Sequence, residues 1–209
     1  MSEGKIDFKP GNMLYPVPAV LVACADRQWN TGLDMDRAED TSGNRHINLF
    51  TVAWTGTVCT NPPMLSISVR PERYSYHMIE ATGEFTVNLT NEALAKATDF
   101  CGVRSGRDVD KWKECHLTPV PGTEVKSPYV KEAPVSIECR VTEEKPLGSH
   151  TLFLAEVAAV HCDNAYLDEK GTFHLEDARP IVYSHGTYFA LGKKLGTFGY
   201  SVKKKGKKK

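Results

Sequence analysis

Residues 47–89 read INLFTVAWTGTVCTNPPMLSISVRPERYSYHMIEATGEFTVNL. The stretch parses as strand, turn, strand, helix start, helix and strand. Residues 47–54 are rich in β-branched and aromatic side chains, Asn61-Pro62-Pro63 breaks the chain, and 64–69 resumes an extended pattern. Pro71 suits a first helical position and Glu72 the positive end of a helix dipole, so a helix is expected through Tyr76 and Ile79 to Gly83. The Arg70-Pro71 junction then offers free N–H groups to an anion, with Arg70, Arg73, Ser75 and Tyr76 as added donors. An ordinary strand-to-helix turn with surface arginines explains the same residues. In Ala53-Trp54-Thr55-Gly56, small side chains let a flat ring approach the backbone, and Trp54 is placed either to flank it or to fill the core.

Outward from this block, further strands are expected at 17–25, 84–89, 135–142, 151–161 and, more weakly, 181–183. Short strands separated by turns indicate a mainly β barrel or sandwich with a few peripheral helices, not a βαβ series. A second helix is expected over 92–100, capped by Thr90 or Asn91. Residues 104–133 hold charges, Pro119, Pro121 and Pro128, and read as a long ordered loop of functional or interface type. The polar segment 26–46 carries Asp34, Asp36, Glu39 and Asp40. Its spacing lacks the glycine and final glutamate of an EF-hand, so a solvated excursion is expected over a Ca²⁺ site. No internal repeat or linker divides the chain, which reads as one domain over 1–202 and a lysine-rich tail over 203–209.

The 209 residues include 26 basic and 26 acidic side chains, a formal net charge of +0. Six of the lysines lie in the last seven residues; without them 20 basic residues face 26 acidic ones, a surplus that disfavours nucleic acid. No run approaches the ~20 apolar residues that span a bilayer, and charges interrupt 1–10, so no membrane partner and a cytoplasmic location are expected. The six cysteines show no CxxC spacing and read as free, mostly buried thiols. Metal ligation is not expected: Cys115-His116 and His161-Cys162 are adjacent pairs, which a strand points to opposite faces. GxSxG, HExxH, Walker A and post-strand GxGxxG patterns are missing, which removes a Rossmann dinucleotide site.

Taken in series, several segments resemble the flavin reductase-like family of FMN-binding split barrels, and within it the flavoredoxin branch. They are Tyr15-Pro16-Val17-Pro18, the block 47–89, Ser105-Gly106-Arg107-Asp108-Val109-Asp110-Lys111, Pro128-Tyr129-Val130-Lys131-Glu132, Gly148-Ser149-His150-Thr151 followed by Glu156-Val157, and Gly192-Lys193-Lys194-Leu195-Gly196. The resemblance implies a homodimer with non-covalent FMN at the edge of each barrel. It places Thr51, Ala53, Trp54, Thr55 and Gly56 along the isoalloxazine ring, and Ser68, Arg70, Tyr74, Ser75 and Tyr76 on the ribityl chain and phosphate. It sets His150 near the redox face as the one orienting or acid candidate, and Asp108 and Lys111 in a loop reaching the flavin or the partner subunit. Segment 26–46 is longer than the family pattern, which leaves substrate choice open.

That resemblance carries two expectations about chemistry. One is an NAD(P)H-dependent reductase of flavin, with NADH or NADPH as donor. The other is an electron carrier, passing electrons between redox protein partners through held FMN. A barrel that binds no flavin is the third alternative.

Overall fold

The computed structural model describes residues 4–29 and 45–202. The chain opens with β1 (Val17–Pro18) and β2 (Val20–Ala25), and β2 is buried along its whole length. Side chains alternate across a strand. Val20, Val22 and Cys24 therefore enter one core, with Ile67, Phe85 and Phe153, while Leu21, Ala23 and Ala25 enter a second, with Leu94, Trp112 and Val130. A strand covered on both faces must be continuously apolar, which is why 20–25 shows no alternation. β3 (Ile47–Val52) divides the same way, Phe50 and Val52 facing the first core and Ile47 and Leu49 the second.

β4 (Thr55–Thr60), β5 (Pro63–Val69), helix α1 (Tyr76–Thr82) and β6 (Glu84–Asn88) complete the central block. The helix starts five residues later than Pro71 suggests. Residues 71–75 form turns instead, closed by Arg73 N–H on the Arg70 carbonyl (3.0 Å) and Tyr76 N–H on the Arg73 carbonyl (3.0 Å). α1 ends as expected at Gly83, whose φ of 67° is the left-handed conformation that glycine adopts without strain. A short 3₁₀ turn (Glu92–Leu94) leads into α2 (Ala95–Val103), and Asn91 caps it by accepting from Leu94 N–H at 3.0 Å.

The 104–133 stretch is not all loop. It contains α3 (Lys111–Glu114), capped by Asp110, and a small ladder of β7 (Pro119–Val120) with β8 (Tyr129–Val130). β9 (Val135–Pro146) and β10 (Thr151–Cys162) form a long hairpin, and β11 (Ile181–Ser184) and β12 (Thr187–Ala190) a short one. The main sheet runs β3-β2-β6-β9-β10-β5-β4, and β1-β11-β12 form a separate sheet. All pairings are antiparallel. The fold is a split β-barrel, mainly β with few helices. No helix among the described residues is long and apolar enough to cross a membrane. The acidic residues Asp34, Asp36, Glu39 and Asp40, and the tail 203–209, lie outside the described residues.

Candidate functional site

The split leaves a cavity of about 340 Å³ between the end of β3, the end of β5 and α2. Thr51, Val52, Ala53 and Trp54 form one wall, Ser68, Val69, Arg70 and Arg73 another, and Asp99, Gly102 and Val103 come from α2. The bend at 53–54 is fixed because Ser68 N–H donates to the Trp54 carbonyl at 2.8 Å. Thr51 Oγ1 donates to the Thr98 carbonyl, which ties β3 to α2. Gly102 is held close to this wall: a Cβ there would meet Thr51 Cβ at 3.3 Å.

The β11–β12 hairpin brings Tyr183, Gly186 and Tyr188 to the same cavity. Its two turn residues, His185 and Gly186, have φ of 47° and 83°. Positive φ at both positions is the turn that matches strand twist in a two-residue hairpin. Tyr15 packs on His185 with ring centroids 4.2 Å apart and stands 6.2 Å from Trp54 and 6.1 Å from Tyr183, so the mouth has an aromatic rim. Burial pushes the Tyr188 hydroxyl up to about 12, helped by the Asp99 carboxylate beside it, so this hydroxyl stays protonated.

A second cavity of about 120 Å³ adjoins the first, sharing Phe50, Arg73 and Val103 with it. Asn48, Tyr74, Ser75, Arg104, Ser105, Gly106 and Lys111 line it, with Glu72 the one acidic side chain. Asn48 Nδ2 donates to Ser75 Oγ at 2.6 Å. A Cβ on Gly106 would run into the Asn48 side chain, so only glycine permits this approach. Lys111 is 3 % exposed and donates from Nζ to the Cys101 carbonyl at 2.8 Å. Burial pushes its ammonium down to about 8. Arg73 spans the two spaces and donates to the Gly102 carbonyl at 3.1 Å. One elongated site results, with an aromatic, small-residue end and a cationic end.

Of the residues expected from sequence, Thr51, Ala53, Trp54, Ser68, Arg70 and His150 line the larger cavity, and Tyr74 and Ser75 the smaller. His150 sits in the β9–β10 turn with Nδ1 2.9 Å from Ser149 Oγ. Burial, then the Arg70 and Arg73 charges, pull its pKa down against the opposing pull of Glu72. A ring held below its ordinary value is mostly neutral at pH 7. Three residues fall elsewhere. Thr55 and Gly56 belong to β4, where Thr55 Oγ1 donates to the Ser66 carbonyl at 2.8 Å. The Tyr76 ring is in the first core, its hydroxyl 3.1 Å from Thr151 Oγ1, so its oxygen is committed there. Asp108 lines neither cavity, whereas Lys111, three residues on at the start of α3, lines the cationic one. Tyr183, Gly186, Tyr188 and Asp99 were not anticipated; the Ser184-His185-Gly186-Thr187 turn between tyrosines was the signal available.

This architecture has solved counterparts. Flavoredoxin of Desulfovibrio vulgaris (Miyazaki F) superposes with a TM-score of 0.81 at 29% identity, over 96% of this chain and 100% of that one. Flavoredoxin from Methanosarcina acetivorans gives 0.77 at 27% identity, with 96% and 100% covered. A protein of Archaeoglobus fulgidus is 33% identical over 129 residues, which is 62% of this chain and 73% of the relative. The flavin reductase like domain model matches residues 13–192, a span that holds both cavities and both hairpins. The chain is a member of the flavin reductase-like family.

Proposed function

We propose that the elongated site holds FMN and that the chain is a flavin-dependent oxidoreductase that takes electrons from NADH or NADPH. The observation that carries this is the joining of the two cavities through Arg73. A flat aromatic head suits the larger space, with its glycine and alanine walls and aromatic rim, and a phosphate suits the smaller, with Arg73, Arg104 and Lys111. The donors fit the group chemically: Lys111 is a buried ammonium with one protein acceptor and two N–H bonds to give.

In this reading the Thr51–Trp54 wall orients the ring, Ser68 and Arg70 hold the ribityl chain, and Tyr74 and Ser75 close around the phosphate. Bound FMN would supply hydride or single-electron transfer. Neutral His150 and the protonated Tyr188 hydroxyl are placed to orient a donor or hold a proton at the open side of the ring. A homodimer belongs to the same proposal: Val58, Leu14, Leu195 and Phe198 are exposed apolar side chains that a partner subunit would cover. The six free cysteines fit a reducing compartment such as the cytoplasm.

A second reading is electron carriage between redox proteins. It is favoured by the full-length likeness to two flavoredoxins. A visible spectrum recorded anaerobically separates the two. Bound flavin that bleaches on addition of NADH or NADPH is the expected result. Flavin that bleaches only with dithionite supports the carrier, and a colourless protein that takes up no FMN removes both readings.

A further inference from the structure

Cys101 and Cys115 stand apart from the other thiols. Their sulfurs are 3.8 Å apart across 14 residues of chain, whereas the Cys24 sulfur rests on Met78 Sδ. Cys101 lies in α2, is 1% exposed, and its carbonyl anchors Lys111 Nζ. Cys115 follows α3, is half-buried, and its N–H donates to the Lys111 carbonyl at 3.1 Å. The segment between the two sulfurs carries Arg104, Ser105, Gly106 and Lys111, one whole wall of the cationic cavity.

We infer that Cys101 and Cys115 form a reversible disulfide that closes the 101–115 loop and thereby resets the anion end of the site. The bond needs the sulfurs to close from 3.8 Å to about 2.05 Å. The oxidant is a low-molecular-weight disulfide. The more accessible Cys115, as thiolate, attacks one sulfur of it, forming a mixed disulfide and releasing one thiol. Cys101 then loses its proton and attacks Cys115 Sγ, releasing the second thiol. Two protein thiols and one small disulfide become one protein disulfide and two small thiols. Burial pushes both protein thiols up, so the exchange is slow near neutrality and faster at higher pH. The pair thus answers to a sustained oxidising poise rather than to a brief pulse.

The effect on the site rests on the FMN reading above; the disulfide itself does not. Drawing the two ends together bears on both bonds that hold Lys111, at the Cys101 carbonyl and at the Cys115 N–H, and the ammonium moves with them. The test is to incubate the full chain with oxidised glutathione at pH 8.5, map cysteines by mass spectrometry, and titrate FMN by fluorescence before and after. The expected result is a Cys101–Cys115 crosslinked peptide, with FMN affinity lowered about tenfold and restored by dithiothreitol. Cys115→Ser, which has no role in the cavities, should keep its affinity under the same oxidant. Recovery of Cys101 and Cys115 as free or only glutathionylated thiols overturns the inference. A crosslink that leaves affinity unchanged overturns the switch. If the reduced protein binds no FMN at all, it is the functional reading that fails, and the mapping still decides the disulfide.

Discussion

Two buried charges sit in the second half of the chain, and their surroundings are opposite. Glu138, on β9, is 0% exposed and fully partnered. Its carboxylate accepts from the N–H groups of Thr123 (2.7 Å), Glu124 (2.7 Å) and Val125 (2.8 Å), from Thr123 Oγ1 (3.0 Å), and pairs with His161 Nε2 at 2.6 Å. The His161 ring is itself stacked on Tyr129 at 4.5 Å. Lys111 is nearly as buried, yet its ammonium has one acceptor, the Cys101 carbonyl, and faces a cavity. Burial acts on both groups against ionisation. At Glu138 the donors from Thr123, His161, Glu124 and Val125 outweigh it and hold the acid down to about 2. At Lys111 burial wins and the ammonium falls to about 8. A charge with its partners complete clamps a loop to the barrel. One left incomplete beside a hollow has N–H bonds still to give, which is what the proposed phosphate site would use.

The largest expected effect is at the complete charge. Glu138→Gln removes the charge and turns one of the two acceptor oxygens into an NH2 donor that faces loop N–H groups, and should cost about 3 kcal/mol of stability in urea unfolding. Because the folded acid lies below its unfolded value of about 4.3, this stabilisation is present above that pH and is lost as pH falls toward 2. Acid titration of unfolding should therefore differ between wild type and Glu138→Gln chiefly above pH 2.

Lys111→Met should reverse the pattern. Removing an under-partnered buried ammonium leaves stability unchanged or raised, while FMN affinity, read by fluorescence quenching, drops about tenfold to a hundredfold. The pH sign follows from the lowered folded pKa. Between about 8 and the unfolded value of about 10.4 the unfolded chain holds the extra proton, so wild-type stability gains there as pH rises. FMN affinity should move the other way, weakening above about pH 8 as the ammonium is lost. An equal loss of stability in Lys111→Met and Glu138→Gln would break the contrast.

Gly106→Ala tests the cavity wall more gently. Its methyl displaces Asn48 and with it the bond to Ser75, so FMN should weaken severalfold with a stability cost of about 1–2 kcal/mol. The smallest effect belongs to Tyr76→Phe, which loses one buried hydroxyl bond to Thr151. It should cost about 1 kcal/mol in urea unfolding and leave FMN affinity as it was.

Tyr76 also shows how far the sequence could be read. The strands expected at 17–25, 47–54 and 84–89 were legible because a strand buried on one or both faces is rich in β-branched, aromatic and other apolar residues, whatever lies around it. β4 was not, because Thr55-Gly56-Thr57-Val58-Cys59-Thr60 is largely exposed and its strand state comes from pairing with β5. Pro71 and Glu72 do fit a helix start, but the carbonyls of Arg70 and Arg73 closed turns first, and α1 slid to Tyr76. That slide turned the Tyr76 ring inward, although the residue stands in a segment full of site donors. The hairpin tyrosines were out of reach for another reason. Tyr183 and Tyr188 meet Trp54 and Asp99 only through tertiary contact more than 80 residues apart in sequence, a separation that local patterns do not encode.

The two-sided burial of β2 also bears on how the molecule comes apart. Val20, Val22 and Cys24 belong to one core and Leu21, Ala23 and Ala25 to the other, so the same six residues are the seam of both. Loss of β2 strips side chains from both cores at once. Heat should therefore unfold the barrel and the α2–α3 layer in one cooperative step, and the amides of β2 should be among the last to exchange with solvent deuterium.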